Sequence, residues 1–341
     1  TEIYTLSLHD ALPISPVGPA DTFRGILENL WWPLDAALDE ESVYLSALAG
    51  LMESVRCGVT AVFDHHASMG CVRGSLAAVR RAFDEAGVRG VLCFETSGRR
   101  GGAGTRSHIE ENLSFAASLP RPERGKTPFV RAALGLHANF TLSAAEMGMA
   151  AGALREFRTE KSGALSVHVH CGEARDDLDF CRAEGFAGPV DRLASFGLLD
   201  GDAVLVHCVH LADRDYDVLR EVKPVVAVNP ESNANNRVGF PDFRRLPGFV
   251  IGTDGMSGDM IASCRAAVLL CGERGLGPGR LGRAVFDEGR RVRERFFPGT
   301  GVFRPGAAAD IAVPDYVPLS PVREDNIPGH LIFGAKNGRA W

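Results

Sequence analysis

Three short runs put metal-binding and proton-transferring side chains at the ends of apolar stretches. The first is HVHCGE, residues 168–173. Alternation along a strand puts Val167, Val169 and Cys171 on one face and His168 and His170 on the other. Glu173 follows His170 by three residues. A neutral imidazole is a good zinc ligand, and a carboxylate nearby can act as base toward a metal-activated water. Two satisfied core histidines with a solvated glutamate are the structural alternative. The second run is VLVHCVH, residues 204–210, where His207 ends an apolar stretch and His210 begins the next loop. One such histidine is more often structural, but the layout recurs on consecutive strands. The third is VIGTDGMSGDM, residues 250–260, which ends a buried stretch on Asp254. An unpaired carboxylate in low dielectric is costly, so Asp254 should meet a metal, an arginine or backbone donors. Gly252 and Gly255 allow tight backbone beside it.

Weaker signals are DHHAS (64–68), GLHANFTLS (135–143) and NPESNANN (229–236), each at or just after a strand end. His65, His66 and His137 could contact substrate or serve the core. Asn233 and its neighbours could do the same, or close a turn by local hydrogen bonding.

The elements that must carry these residues alternate regularly. Short β-rich runs occur at 59–64, 89–95, 130–137, 165–171, 202–208, 225–229 and 249–254, with helix-like segments between most of them. Such alternation predicts an α/β chain with a parallel sheet and helical crossovers. Seven strands fall one short of a (β/α)8, TIM-type barrel, whose catalytic groups gather at the C-terminal rim of the strands. A doubly wound sheet is the competitor, but no GxGxxG follows the first strand, and GGAGTR at 101–106 reads as a loop. Residues 21–57 read as helix, broken at Pro33. Residues 1–15, TEIYTLSLHDALPIS, fit neither their neighbours nor a secretory signal and resemble the conceptual translation of a sequencing adapter. They are therefore set apart, leaving the first barrel strand missing. The barrel is expected over 16–300, with 301–341 as the C-terminal part of a small β-sandwich, entered by a hairpin at 301–316. The chain reads as clipped at both ends.

Composition narrows the partners. A net charge of −6, with basic residues spread along the chain, argues against nucleic acid. No run approaches the roughly 20 apolar residues of a membrane span. Eight cysteines without a CxxC pair, several in apolar runs, fit buried thiols in a reducing cytoplasm. A small-molecule substrate is expected, and a homo-oligomer is open.

Taken together, HxxE at His170 and Glu173, the histidine after the next strand and the aspartate after the last resemble the amidohydrolase superfamily. ILENLWWPLD, FDHHAS, GLHANFTLS, HCVH, NPESNANN, GTDGMSGDM and GHLIFGA look like the SsnA-like aminohydrolases within it. The resemblance implies a (β/α)8 barrel flanked by a small β-sandwich built from both chain ends. It implies a divalent metal, Zn2+ or else Fe2+, with His170, His207 and Asp254 as ligands. Glu173 would shuttle protons, His207 and Asp254 would assist catalysis, and His66, His137 and Asn233 would bind substrate. The family's HxH after the first strand has no counterpart here. Pro33 and VPDY at 313–316 also depart from its pattern. The implied reaction is hydrolytic deamination of an aminated purine- or pyrimidine-like heterocycle by metal-activated water. A metal-poor barrel that only binds a ligand or partner is the alternative.

Overall fold

The structure is a computed structural model, and it describes residues 5–6, 22–120, 127–161 and 165–335. The remainder of 1–15, including His9, and residues 336–341 lie outside the described residues.

All seven β-rich runs are strands. They are β2 (Ala61–His66), β3 (Arg89–Phe94), β4 (Val130–Ala132) continued as β5 (Leu134–Leu136), β6 (Val167–Cys171), β7 (Val204–His207), β8 (Val225–Val228) and β9 (Val250–Ile251). Every pairing between them is parallel. A two-residue strand, β1 (Thr5–Leu6), precedes them and pairs parallel with Phe63 and Asp64 of β2. The sequence reading put no strand before Pro16, so this is a correction. A parallel edge beside β2 has unpaired backbone groups, and two extended residues satisfy part of it. The run from 130 to 136 joins two hydrogen-bonded sheets, β1-β2-β3-β4 and β5-β6-β7-β8-β9. It breaks only at Ala133, and a Thr96–Leu136 bridge spans the junction.

Strand alternation divides the core in two. Ala61, Phe63, Val91, Cys93, Val204 and Val206 point into the lumen, which Phe296 and Phe297 plug from below. Phe63 and Phe296 meet edge to face with centroids 4.8 Å apart. The opposite faces, such as Val62, Leu92, Val167, Val169 and Leu205, pack on the helices. The helix Ser75–Ala86 shows how the sequence builds that outer layer. It buries Leu76, Val79, Ala82 and Phe83, the spacing of one helical stripe. Glu111 of the next helix accepts from the free N–H groups of Gly74 and Leu76, and Gly87 ends the helix at φ +68°.

Three expectations change. Pro33 does not break the first helix. A π-helical turn, Leu27–Trp31, precedes it, with the Trp32 N–H bonded to Leu27 O, and helix continues over Trp32–Ala37. A widened turn is one way to absorb the lost Pro33 donor. GGAGTR is no loop but the start of the helix Gly101–Ser118. The Thr105 hydroxyl bonds back to Gly101 O, and burial of Ile109 and Phe115 further along outweighs the weak propensity of the glycines. Residues 301–316 form no hairpin, and Pro314 is the single bridge residue in that stretch. Asp310 is instead clamped at 2.8 Å by Arg89 and at 2.8 Å by Arg293, which ties the segment to the barrel floor. No described strand lies beside 309–313 to complete a ladder.

Candidate active site

His170, next to last in β6, lies in the lumen register, as alternation predicts. Its Nδ1 donates to His137 O at 2.9 Å, so Nε2 keeps the lone pair. His207 reaches the same mouth by a different route. Val204 and Val206 face the lumen, so parity alone would send His207 outward with Leu205. Left-handed backbone at His207 (φ +72°) and Cys208 (φ +52°) turns the ring back. Its Nδ1 donates to Asn233 Oδ1 at 2.8 Å, which again leaves Nε2 as the lone pair. Asp254 also sits at positive φ, +54°. Its Oδ1 accepts from the Gly255 N–H at 2.9 Å and its Oδ2 from the Ser232 hydroxyl at 2.6 Å. Such backbone costs a residue with a Cβ about 1–2 kcal/mol. Strain of this kind concentrates at functional sites.

Glu173 completes the cluster. Its turn is pinned by buried Asp177, whose carboxylate accepts from the N–H groups of Gly172 (2.8 Å) and Phe140 (3.0 Å). Glu173 Oε2 lies 3.5 Å, and Asp254 Oδ2 3.6 Å, from His207 Nε2. That nitrogen is buried and has no hydrogen-bond partner. A lone pair facing two carboxylates at this range is unfavourable unless a cation or proton lies among them. One nitrogen and two oxygens, all within 4.8 Å of one another, suit a divalent cation. The residues therefore fit a metal. Burial first, and the Asp254 charge second, push Glu173 up to about 8. Burial lowers His207 below its ordinary value.

The sequence-predicted residues divide. Glu173, His207 and Asp254 converge, with His170 beside them, its ring centroid 5.6 Å from that of His207. His137 lines the same cleft of about 80 Å³, as does His65. His66 is buried outside that cleft, with its Nε2 2.8 Å from Ser68 Oγ. Asn233 is also off the cleft wall and acts on His207 instead. Sequence reasoning missed the opposite wall, where Trp31, Trp32 and Asp35 face Glu95. Arg99 bridges it, donating to Asp35 Oδ2 at 3.0 Å and to Glu95 Oε1. Burial and the Glu95 charge push Asp35 up to about 7 despite Arg99. Glu95 is held down to about 2: burial opposes this, but His137 and Arg99 outweigh it. Glu95 could have been found by parity, since it continues the lumen face after Val91 and Cys93. Asp35 closes the ILENLWWPLD run, but nothing in that run assigns it to the cleft.

The amidohydrolase family matches residues 18–288. The chain belongs to the amidohydrolase family. Over 97% of its length this amidohydrolase is 28% identical to a 5-methylthioadenosine/S-adenosylhomocysteine deaminase of Desulfitobacterium hafniense, covering 73% of that protein. It is 24% identical to a 5'-deoxyadenosine deaminase of Methanococcus maripaludis over 92% of the chain and 76% of the relative. Among solved structures, a zinc-bound adenosine deaminase of Xanthomonas campestris superposes with a TM-score of 0.80 at 19% identity, covering 99% of this chain and 76% of that one. An atrazine chlorohydrolase of Arthrobacter aurescens gives 0.79 at 20% identity, covering 99% and 80%. These likenesses show the barrel fold of the amidohydrolase. Among the described residues no helix is long and apolar enough to cross a membrane.

Proposed function

We propose that this amidohydrolase is a zinc-dependent hydrolase that removes an amino group from an adenosine-like or related heterocycle, releasing ammonia. The observation that carries the reading is the unpartnered His207 Nε2 between Glu173 and Asp254. His170, His207 and Asp254 would hold the cation, with Fe2+ as the second candidate. A bound divalent metal lowers the pKa of water from 15.7 to about 7 and so supplies a nucleophile at neutral pH.

The chain's own groups supply the rest. Asn233 holds His207 in the tautomer that presents Nε2 to the cleft. Burial raises Glu173 above the usual carboxylate range, which suits a group that takes up a proton and delivers it to a ring nitrogen. Asn236 Nδ2 donates to Glu173 Oε1 at 3.2 Å and orients it. Asp254, fixed by Ser232 and Gly255, can accept a proton from the attacking water. Trp31 and Trp32 line the cleft and supply apolar surface for a ring to pack on. A reducing, cytoplasmic setting is supported by the buried free thiols of Cys93, Cys171, Cys181, Cys208 and Cys271.

Ammonia release from adenosine, 5'-deoxyadenosine and free aminopurines and aminopyrimidines by zinc-loaded protein tests the reading. Turnover of at least one of these, falling at least 100-fold in Glu173→Gln with zinc content kept, is the expected result. Equal turnover by that variant would refute the role given to Glu173.

A further inference from the structure

The wall facing the proposed metal carries an arrangement that the deamination steps leave unused. Glu95 follows β3 in the lumen register and is only 6% exposed. Arg99 occupies its Oε1 and is itself held by Asp35 at 3.0 Å and Ser97 at 3.2 Å. Glu95 Oε2 lies 4.0 Å from His137 Nε2, beyond hydrogen-bond range. The Thr141 hydroxyl donates to Ala138 O at 3.0 Å, so it accepts from His137 Nδ1–H at 2.9 Å. His137 Nε2 is thereby left as a lone pair. Two acceptors thus line the same cleft, and in this tautomer neither has a proton to give. A single donor group placed between them would satisfy both.

We infer that Glu95 Oε2 and His137 Nε2 form an acceptor pair that selects a hydrogen-bond donor on the substrate's ring, either a ring N–H or a second amino group. Glu95 is then a specificity-determining residue. The inference rests on the deaminase reading only for the kind of ring. Glu95 and His137 line the same cleft as His170, Glu173, His207 and Asp254, so the donor belongs to the ring or its first substituent. Trp32 adds a buried indole N–H that has no partner and lines the same cleft, ready for a ring acceptor.

The test is equilibrium binding by calorimetry to zinc-loaded protein carrying Glu173→Gln, so that no ligand is consumed. Two pairs differ by one donor: 2,6-diaminopurine against adenine, and adenine against 9-methyladenine. In at least one pair the donor-bearing base should bind at least tenfold tighter. Adding Glu95→Gln should cut that preference below threefold, because its amide can donate to His137 Nε2 and close the gap. Glu95→Asp keeps the charge beside Arg99 but withdraws the oxygen, and should lose the preference too. Circular dichroism and melting temperature confirm that both variants fold. A preference that survives both variants overturns the inference, as does its absence before Glu95 is changed. Failure of every base to bind overturns it equally. So does weakening of adenosine alone, which would assign Glu95 to sugar hydroxyls. Absence of ammonia release from the protein with Glu173 intact, alongside the expected binding pattern, would sink the deamination reading and leave this one standing.

Discussion

At the scale of single residues, the site is organised by which nitrogen of each histidine is engaged. Asn233 lies off the cleft wall, and its Oδ1 accepts from His207 Nδ1, a contact that would fix the His207 tautomer. Partners of this kind typically account for 10- to 100-fold in metal affinity. Asn233→Ala should therefore weaken zinc binding by about that factor in competition with a chelator, with the fold unchanged. Unaltered affinity would mean that the Asn233 contact is incidental. Asp35 offers a prediction in pH. Its folded pKa, about 7, lies above the unfolded 3.8, so the native state increasingly resists its ionisation as pH rises between those values. Glu95 acts in the opposite sense: held down to about 2 from 4.5, its stabilisation is complete above 4.5. Between pH 4.5 and 7 the Asp35 cost grows alongside that of Glu173, while histidines held neutral, such as His137 and His168, act in the opposite sense. Asp35→Asn should therefore make urea midpoints fall less steeply, or rise more steeply, with pH across the window, and an unchanged slope would contradict the assignment.

At the scale of elements, the sequence was legible where alternation governs and silent where backbone geometry overrides it. Strand β6 obeys parity, so the lumen placement of His168 and His170 could be read directly. His207 could be placed at a strand end but not on a face, because two left-handed residues reverse the expected direction. Glu95 obeyed parity and was overlooked for lack of a histidine motif beside it. The wall formed by Trp31, Trp32 and Asp35 depends on a π turn ahead of Pro33, which no periodicity reveals. The ADIAV stretch has strand composition but is held by the Asp310 ion pairs instead. Positive φ also separates strain with a use from strain without one. Lys223 adopts φ +55° at the exposed end of the helix Asp213–Val222, where glycine is the favoured residue. Lys223→Gly should stabilise the protein by about 0.5–1 kcal/mol in chemical unfolding without touching activity. A loss of stability would show that the lysine side chain contributes packing that the geometry does not reveal.

At the scale of the whole molecule, two features stand out. Val317, Leu319 and Phe303 are 80%, 99% and 92% exposed, and Phe303 lines an apolar hollow of about 740 Å³ that reaches Leu281 and Val285. Exposed apolar surface of this sort drives association. Val317→Lys with Leu319→Lys should lower light scattering at high protein concentration while zinc binding stays the same. Scattering that does not change would clear this face of responsibility. The second feature is the seam at Ala133. The proposed cation ligands all come from the five-strand sheet, on β6, β7 and the turn after β9. His65 and Glu95 belong to the four-strand sheet, with His137 just across the junction. On the proposed roles the molecule is two half-shells, one that would hold the cation and carries His137, and one that carries Glu95, joined by a strand that breaks at a single residue. A small rotation about that seam would alter the gap between the halves while leaving the ligand geometry intact. Selectivity and turnover can then drift independently in descendants of this chain, which is how one scaffold could trade substrates without rebuilding its chemistry.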